Sequence, residues 1–341
     1  MGSWESGVGS RESSVGECGI IDLDSIVPIQ PETISKCDRN SAMRQSAIEI
    51  PFGVKVRSNF RHAAKCDRIS VLPASGPVQV QNINLPPMKE TPKPPGFIII
   101  GTQKGGTTSL YNYLIQHPQI APAAQKEVHY FDLNFDKSPD WYCAQFPQLE
   151  NGSHKITGEA SPYYIFHPHV PQRIYDLCPQ VKIIALLRNP VERAISHYYY
   201  YIKIQYESLS LEEAIAAEPE RLKGEIEKLI ANPNYYSYEH QHHSYLSRGI
   251  YADQLPAWMK LFPKSQLLIL KSEDLYTNPF GTYNSVLEFL ELPPHQLQTY
   301  EKYNATQYPP ISETAYQQLR AYFRSHNQRL AQLCDRDFGW D

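Results

Sequence analysis

The segment Phe97-Ile98-Ile99-Ile100-Gly101-Thr102-Gln103-Lys104-Gly105-Gly106-Thr107-Thr108-Ser109 carries an apolar, β-branched run straight into a glycine-rich turn. The turn continues into Leu110-Tyr111-Asn112-Tyr113-Leu114, which suits a helix. A buried parallel strand that ends in a loop at a helix N-terminus is the usual way a backbone cradles a phosphate group. Glycines let the chain pass close to the anion, and the first N–H groups of the helix point at it. Gly101 and Gly106 have the spacing of the loop G-x-x-x-x-G-K-[ST], with Thr108 in the hydroxyl position. The lysine of that pattern is absent, because Thr107 occupies its place, and the cation sits inside the loop at Lys104. Nucleoside triphosphatases use the missing lysine on the β- and γ-phosphates, so its relocation points to a different phosphate-bearing donor.

Two further strands follow the same logic. Val181–Leu187 is apolar apart from Lys182 and is broken by Arg188-Asn189-Pro190, where proline suits the first turn of a helix over 191–201. Gln266–Leu270 is the third, preceded by an amphipathic helix over 251–262. Lys155–Pro162 reads as a short extended segment and 169–178 as a helix. Ser210-Leu211-Glu212-Glu213 is a capping box opening a solvated helical run to Leu229. Helices are also expected over 280–290 and 312–333, with Ser312 as a cap. Strands alternating with helices imply an α/β fold, a central parallel sheet with helices on both faces. Residues 1–90 show no sustained period and end in a run of prolines, so a flexible leader and linker are expected there, with short ordered pieces near 48–56; the folded domain is expected over 91–341.

Composition excludes several classes. A formal charge of −4 gives no basic field for a nucleic acid. No apolar run approaches the ~20 residues that span a bilayer. The six cysteines form no C-x-x-C pair, and the N-terminus lacks the pattern of a secretory signal, so a cytoplasmic location is expected. His240, His242 and His243 allow an i, i+3 pair without an evident third ligand, so no metal is expected and an exposed loop near an acceptor site is the reading taken.

Ligands of parallel sheets bind beyond the carboxyl ends of the strands. Three groups fall there: the loop itself, Lys126-Glu127-Val128-His129-Tyr130-Phe131-Asp132, and Arg188 with Ser196 two turns into the next helix. If 126–132 is extended, Glu127 and His129 share a face and Lys126 lies opposite. An acceptor that attacks an electrophile must lose a proton, and either Glu127 or His129 is placed to take it. Glu159 is an acceptor-side or supporting carboxylate, or else an ion-paired surface residue.

The ordered set of Lys104–Thr108, Lys126–Asp132 and Leu187–Ser196 resembles the sulfotransferases that use 3′-phosphoadenylyl sulfate (PAPS), above all the branch of heparan sulfate sulfotransferases and their bacterial relatives. Lys271–Leu275 and the closing Asp337-Phe338-Gly339-Trp340 are similar too, so the resemblance runs over roughly 95–341. It implies a P-loop-like three-layer fold and transfer of a sulfuryl group to a hydroxyl, less readily an amine. It also implies a 5′-phosphosulfate site at Lys104, Gly105, Gly106, Thr107, Thr108 and Ser109, and a 3′-phosphate site at Arg188 and Ser196. In this branch the glutamate at the place of Glu127 is the base, while cytosolic members use a histidine outside this motif. The chain departs from the branch in two places. Ala160 stands where a lysine follows the glutamate matching Glu159, and the 302–310 loop is short and nearly uncharged where the branch has a basic, cysteine-bracketed loop. Both point away from a polyanionic glycan and leave a small-molecule, carbohydrate or carrier-bound acceptor. Two other readings stay open: a small-molecule kinase using ATP, resting on the Gly101–Gly106 spacing, and a non-catalytic protein retaining the fold.

Overall fold

The computed structural model describes residues 93–149, 155–303 and 308–340, with the backbone of three short strands before them. The chain divides into one unit before Pro87 and a second from Pro87 onward. In the first, β1 (Ala47–Ile50), β2 (Val54–Arg57) and β3 (Val71–Leu72) form an antiparallel sheet in that order. The ordered pieces expected near 48–56 fall on β1 and β2. The remainder of the expected leader and linker, and residues 304–307 of the 302–310 loop, lie outside the described residues.

The second unit runs β4 (Phe97–Gly101), α1 (Thr107–Leu114), β5 (Ile120–Pro122), α2 (Pro139–Cys143), β6 (Ile156–Ala160), α3 (Val170–Leu177), β7 (Lys182–Leu187), α4 (Pro190–Lys203), α5 (Leu211–Arg221), α6 (Glu225–Ala231), α7 (Tyr238–His242), α8 (Tyr251–Leu261), β8 (Leu267–Lys271), α9 (Ser272–Thr277), α10 (Pro279–Phe289) and α11 (Glu313–Cys334). Its five strands pair in the order β5-β6-β4-β7-β8, all parallel. The first strand of the unit is thus central, and the chain leaves it toward one edge before returning to build the other. Such a switch in strand order opens a crevice at the carboxyl ends.

Alternation along β4 sorts the two cores. Ile98 and Ile100 pack with Ile183, Ala185 and Leu187 against Val170 and Ile174 of α3 and Leu255 and Trp258 of α8. Phe97 and Ile99 pack with Ile184 and Leu186 against Leu110 and Leu114 of α1 and Tyr283, Val286 and Leu287 of α10. Both faces of the sheet are therefore covered, which is why the strands read as continuous apolar runs.

Two expectations are corrected here. The helical run expected from Leu211 to Leu229 is two helices, because Gly224 adopts φ +76° and caps α6 with a left-handed residue. Segment 126–132 is not a strand. It crosses the end of β6 as an irregular stretch in which His129 has φ +52°, followed by a turn.

Candidate active site

The loop after β4 is fixed from several directions. The Thr102 N–H donates to the Leu186 carbonyl at 2.9 Å, Gly105 N–H to Thr102 O at 2.9 Å, and the Ser272 hydroxyl to Gly105 O at 2.7 Å. A Cβ at Gly105 would lie 2.7 Å from the Leu186 carbonyl oxygen, and one at Gly106, which has φ +97°, 2.5 Å from the Tyr276 hydroxyl. The backbone is therefore drawn in where only glycine fits. Gly106 is also the N-cap of α1 and has no side chain to cap it, which leaves the helix entrance to an anion.

Lys104 sits at the apex with φ +68°, a left-handed conformation that costs a non-glycine residue about 1 kcal/mol. Neighbours hold it there. Arg188 Nη1 donates to the Lys104 carbonyl at 3.1 Å, and the Lys104 ammonium lies over the Tyr200 ring, 4.4 Å from its centre. Gln103 is gripped by the Arg248 guanidinium and donates to the Tyr201 hydroxyl at 3.3 Å. Burial, and then the positive charges of Arg188 and Lys203, bring Lys104 down from 10.5 to about 8. A cation weakened by other cations is a site waiting for negative charge.

Arg188 follows β7 directly. Its carbonyl accepts from the buried Tyr251 hydroxyl at 2.8 Å, and its guanidinium reaches Glu192 at 3.6 Å. The Asn189 N–H donates to Glu273, whose other oxygen takes the indole N–H of Trp340 at 3.2 Å, so the closing aromatic segment braces this strand end. Glu192, Ser196 and Tyr200 recur every four residues and thus share the face of α4 that meets Arg188 at one end and Lys104 at the other. Ser196 is buried between them. Ser109 is fully buried and its hydroxyl accepts from the Tyr303 N–H at 3.1 Å, so it serves the loop through its backbone.

Across the crevice Glu127 and His129 do meet, although not through extended alternation. His129 Nε2 pairs with Glu127 Oε2 at 3.2 Å and Nδ1 with Asp132 Oδ2 at 2.9 Å. Burial alone would depress the imidazole, but the hydrogen bonds of Asp132 and Glu127 outweigh it and raise His129 from 6.5 to about 10. Burial would raise Glu127, yet His129 and Lys126 together hold it below the ordinary carboxylate value. Lys126 does not lie on the opposite face. Its ammonium turns onto Glu127 and reaches the Ala160 carbonyl at 3.4 Å.

Glu159 is not a surface residue. It is completely buried and takes four donors: the Val128 N–H at 3.2 Å and the hydroxyls of Ser161 at 2.6 Å, Tyr142 at 2.8 Å and Tyr164 at 3.2 Å. Burial still raises it to about 7. The same strand end carries the His129 N–H on Ser161 and the Tyr130 N–H on Tyr164, so β6 suspends the whole 127–130 stretch. The histidine cluster is also no exposed loop. His240 and His243 are buried on and beside α7, with Tyr163 and Glu239 as partners.

Asp132 and Gln103 received no role from the sequence alone. The i, i+3 spacing of His129 and Asp132 was the available signal for the first. Gln103 carried none, since its partners Tyr201 and Arg248 lie about 100 and 145 residues away.

A family model described as a sulfotransferase domain matches residues 94–330. The chain belongs to the sulfotransferase family. It is 30% identical over 314 residues to a membrane-associated sulfotransferase of Dictyostelium discoideum, kil1, covering 72% of this chain and 66% of that one. It is 29% identical over 279 residues to mouse heparan sulfate glucosamine 3-O-sulfotransferase 6, covering 72% and 74%. The crystal structure of a sulfotransferase from Alicyclobacillus acidocaldarius is similar at a TM-score of 0.62 and 28% identity, over 73% of this chain and 99% of that one. The sulfotransferase fold is thus the central parallel sheet flanked by helices described above. Among the described residues no helix is long and apolar enough to cross a membrane.

Proposed function

We propose that this sulfotransferase moves the sulfuryl group of PAPS to an acceptor hydroxyl by in-line displacement. One observation carries the reading: Lys104 follows β4, and the Glu127–His129–Asp132 array follows β5 and hangs on the end of β6, the neighbour of β4, so both stand at the same end of one sheet. The cradle fits an anion, because its glycines leave no room for a Cβ and its lysine is depressed by burial and then by the positive charges of Arg188 and Lys203. Backbone N–H groups from Gly106 to Ser109, with Gly105 giving the close approach and Thr107 and Thr108 their hydroxyls, would hold the 5′-phosphosulfate. Arg188 and Ser196 would take the 3′-phosphate.

The charges favour Glu127 as the base. His129, bracketed by two carboxylates, keeps its proton at neutral pH and acts as a donor. Glu127 is the ionised group, and it takes the proton that the acceptor hydroxyl loses as its oxygen bonds to sulfur. Lys104 meets the charge left on the phosphate oxygen as that oxygen's bond to sulfur breaks. Asp132 keeps His129 charged and aimed, and the proton can pass no further than the array. In the heparan sulfate relatives the named acceptor is a glucosamine hydroxyl. For this chain, a hydroxyl of a carbohydrate, small molecule or carrier-bound group is part of the proposal, as is a cytoplasmic location.

Calorimetry with adenosine 3′,5′-bisphosphate, followed by transfer from radiolabelled PAPS to an acceptor panel, tests the reading. Glu127→Gln should lower kcat by about 10²–10⁴ with donor affinity kept. Absence of bisphosphate binding would sink the proposal.

A further inference from the structure

Beside the donor loop the surface changes from charged to aromatic. Tyr200, Tyr206, Tyr236 and Tyr238 are all exposed, between 36% and 51%, although they come from α4, the turn after it and the approach to α7. Their rings nevertheless form one platform with Tyr201 and His242. Tyr201 stacks on Tyr206 at 5.8 Å, Tyr206 lies 6.1 Å from Tyr238, and Tyr238 lies 4.4 Å from His242. A hydrogen-bonded row runs through it. The Tyr236 hydroxyl meets His242 Nε2 at 2.9 Å, His242 Nδ1 meets the Tyr201 hydroxyl at 2.9 Å, and Gln103 completes the row next to Lys104.

The platform is tied to both halves of the site. On one side Tyr200 lies beneath the Lys104 ammonium. On the other, His240 of α7 pairs with the Tyr163 hydroxyl at 2.8 Å and stacks on Phe166 at 4.1 Å, immediately after the Ser161 that holds His129. Away from the donor loop the bordering charges are paired, Arg221 with Glu207 and Lys228 with Glu225, while Lys104 and Lys203 stand at the donor end. Burial, and then Arg248, hold His242 down at about 4, so it is neutral at pH 7. An anionic glycan would need cations along the whole platform and not only at the donor end, and a phenol or steroid would need an enclosed apolar slot. Partly exposed rings edged by hydroxyls and a neutral imidazole match a pyranose, whose C–H face packs on aromatics while its hydroxyls pair at the rim.

We infer that this tyrosine–histidine platform is the acceptor subsite and that it takes an uncharged saccharide, presenting one of its hydroxyls to Glu127. The inference rests on the sulfuryl-transfer reading above. It is tested on the full chain with radiolabelled PAPS and three acceptor panels: uncharged methyl pyranosides and their disaccharides, heparin-derived oligosaccharides, and simple phenols. The uncharged panel should be sulfated. Tyr206→Ala and Tyr238→Ala should each raise the saccharide KM roughly tenfold while leaving bisphosphate affinity within about twofold. Tyr206→Phe and Tyr238→Phe, which keep the rings and lose only the hydroxyls, should raise KM less than the alanine variants do, and retained bisphosphate affinity guards against a loss due to misfolding. Sulfation confined to the anionic or phenolic panel, or an unchanged saccharide KM in both alanine variants, overturns the inference while bisphosphate binding preserves the broader one. Loss of bisphosphate binding in the wild-type chain overturns both.

Discussion

The charge on His129 is the most exposed point of the mechanism, because the opposite charge would make it the base. Its ring nitrogens lie 2.9 Å from Asp132 and 3.2 Å from Glu127. A hydrogen bond to a charged partner contributes about 1.5–3 kcal/mol, so two of them supply roughly 3–6 kcal/mol in favour of the imidazolium. The rise from 6.5 to about 10 corresponds to roughly 5 kcal/mol at about 1.4 kcal/mol per pH unit, inside that range. A group with a raised native pKa contributes its stabilisation fully below its unfolded value and loses it as pH climbs through the native one. The contribution of His129 should therefore be intact at pH 6 and fade between about 6.5 and 10. Carbon-13-labelled histidine, with His129→Asn to assign the resonance, allows the ring to be titrated by NMR. It should remain protonated past pH 9, and kcat should show no acid limb near 6.5 attributable to it. A midpoint near 6.5 together with an activity limb that vanishes in His129→Asn would refute the assignment and make the histidine the base.

Three further outcomes follow from the site's geometry. Bisphosphate affinity should decline above about pH 8 as Lys104 loses its proton, and Lys104→Arg should stay flat to pH 10 by calorimetry; identical profiles would contradict the role given to the lysine. Gly105→Ala forces a Cβ against the Leu186 carbonyl, an overpacking of about 1–3 kcal/mol, so bisphosphate Kd should rise about 10- to 100-fold while the circular dichroism spectrum is kept. Glu159→Leu strands four donors and should lower Tm by many degrees, whereas Glu159→Gln should lose much less because the hydroxyl partners can turn to accept. The raised pKa of Glu159 means the native state binds its proton more tightly, so the wild type should lose stability from about pH 4.5 to 7 and the glutamine variant should not.

The legible parts of this molecule were those written in local pattern. The apolar runs of β4, β7 and β8, the proline that opens α4, the capping box of α5 and the serine cap of α11 act over a few residues, and the structure places elements there. The donor loop was legible because its glycines and lysine are contiguous. The acceptor side was not, since its determinants are long-range. Glu159 looked like any carboxylate until Tyr142 and Tyr164 closed over it. His240 looked exposed until Phe166 lay against its ring. The left-handed residue at His129 defeated the alternation rule, yet its turn still brought the imidazole back to Glu127, an outcome that depends on Asp132 and Ser161 rather than on period.

The ladder between β4 and β6 has a consequence for how this chemistry can vary. Ile98 is paired with Glu159 and Ile99 with Ala160, while the Ala160 N–H donates to the Lys126 carbonyl at 2.9 Å. The separation between lysine and base is therefore counted out in whole residues. A slip of one residue displaces the base by about 3.3 Å and turns Glu159 to the opposite, apolar face of the sheet, a step too coarse for any hydrogen bond to absorb. Fine adjustment of reactivity is closed to the strands and left to side chains. Variants with new acceptors should accordingly differ in the loops around α5 to α7, while the spacing of the two reacting groups is inherited as an integer.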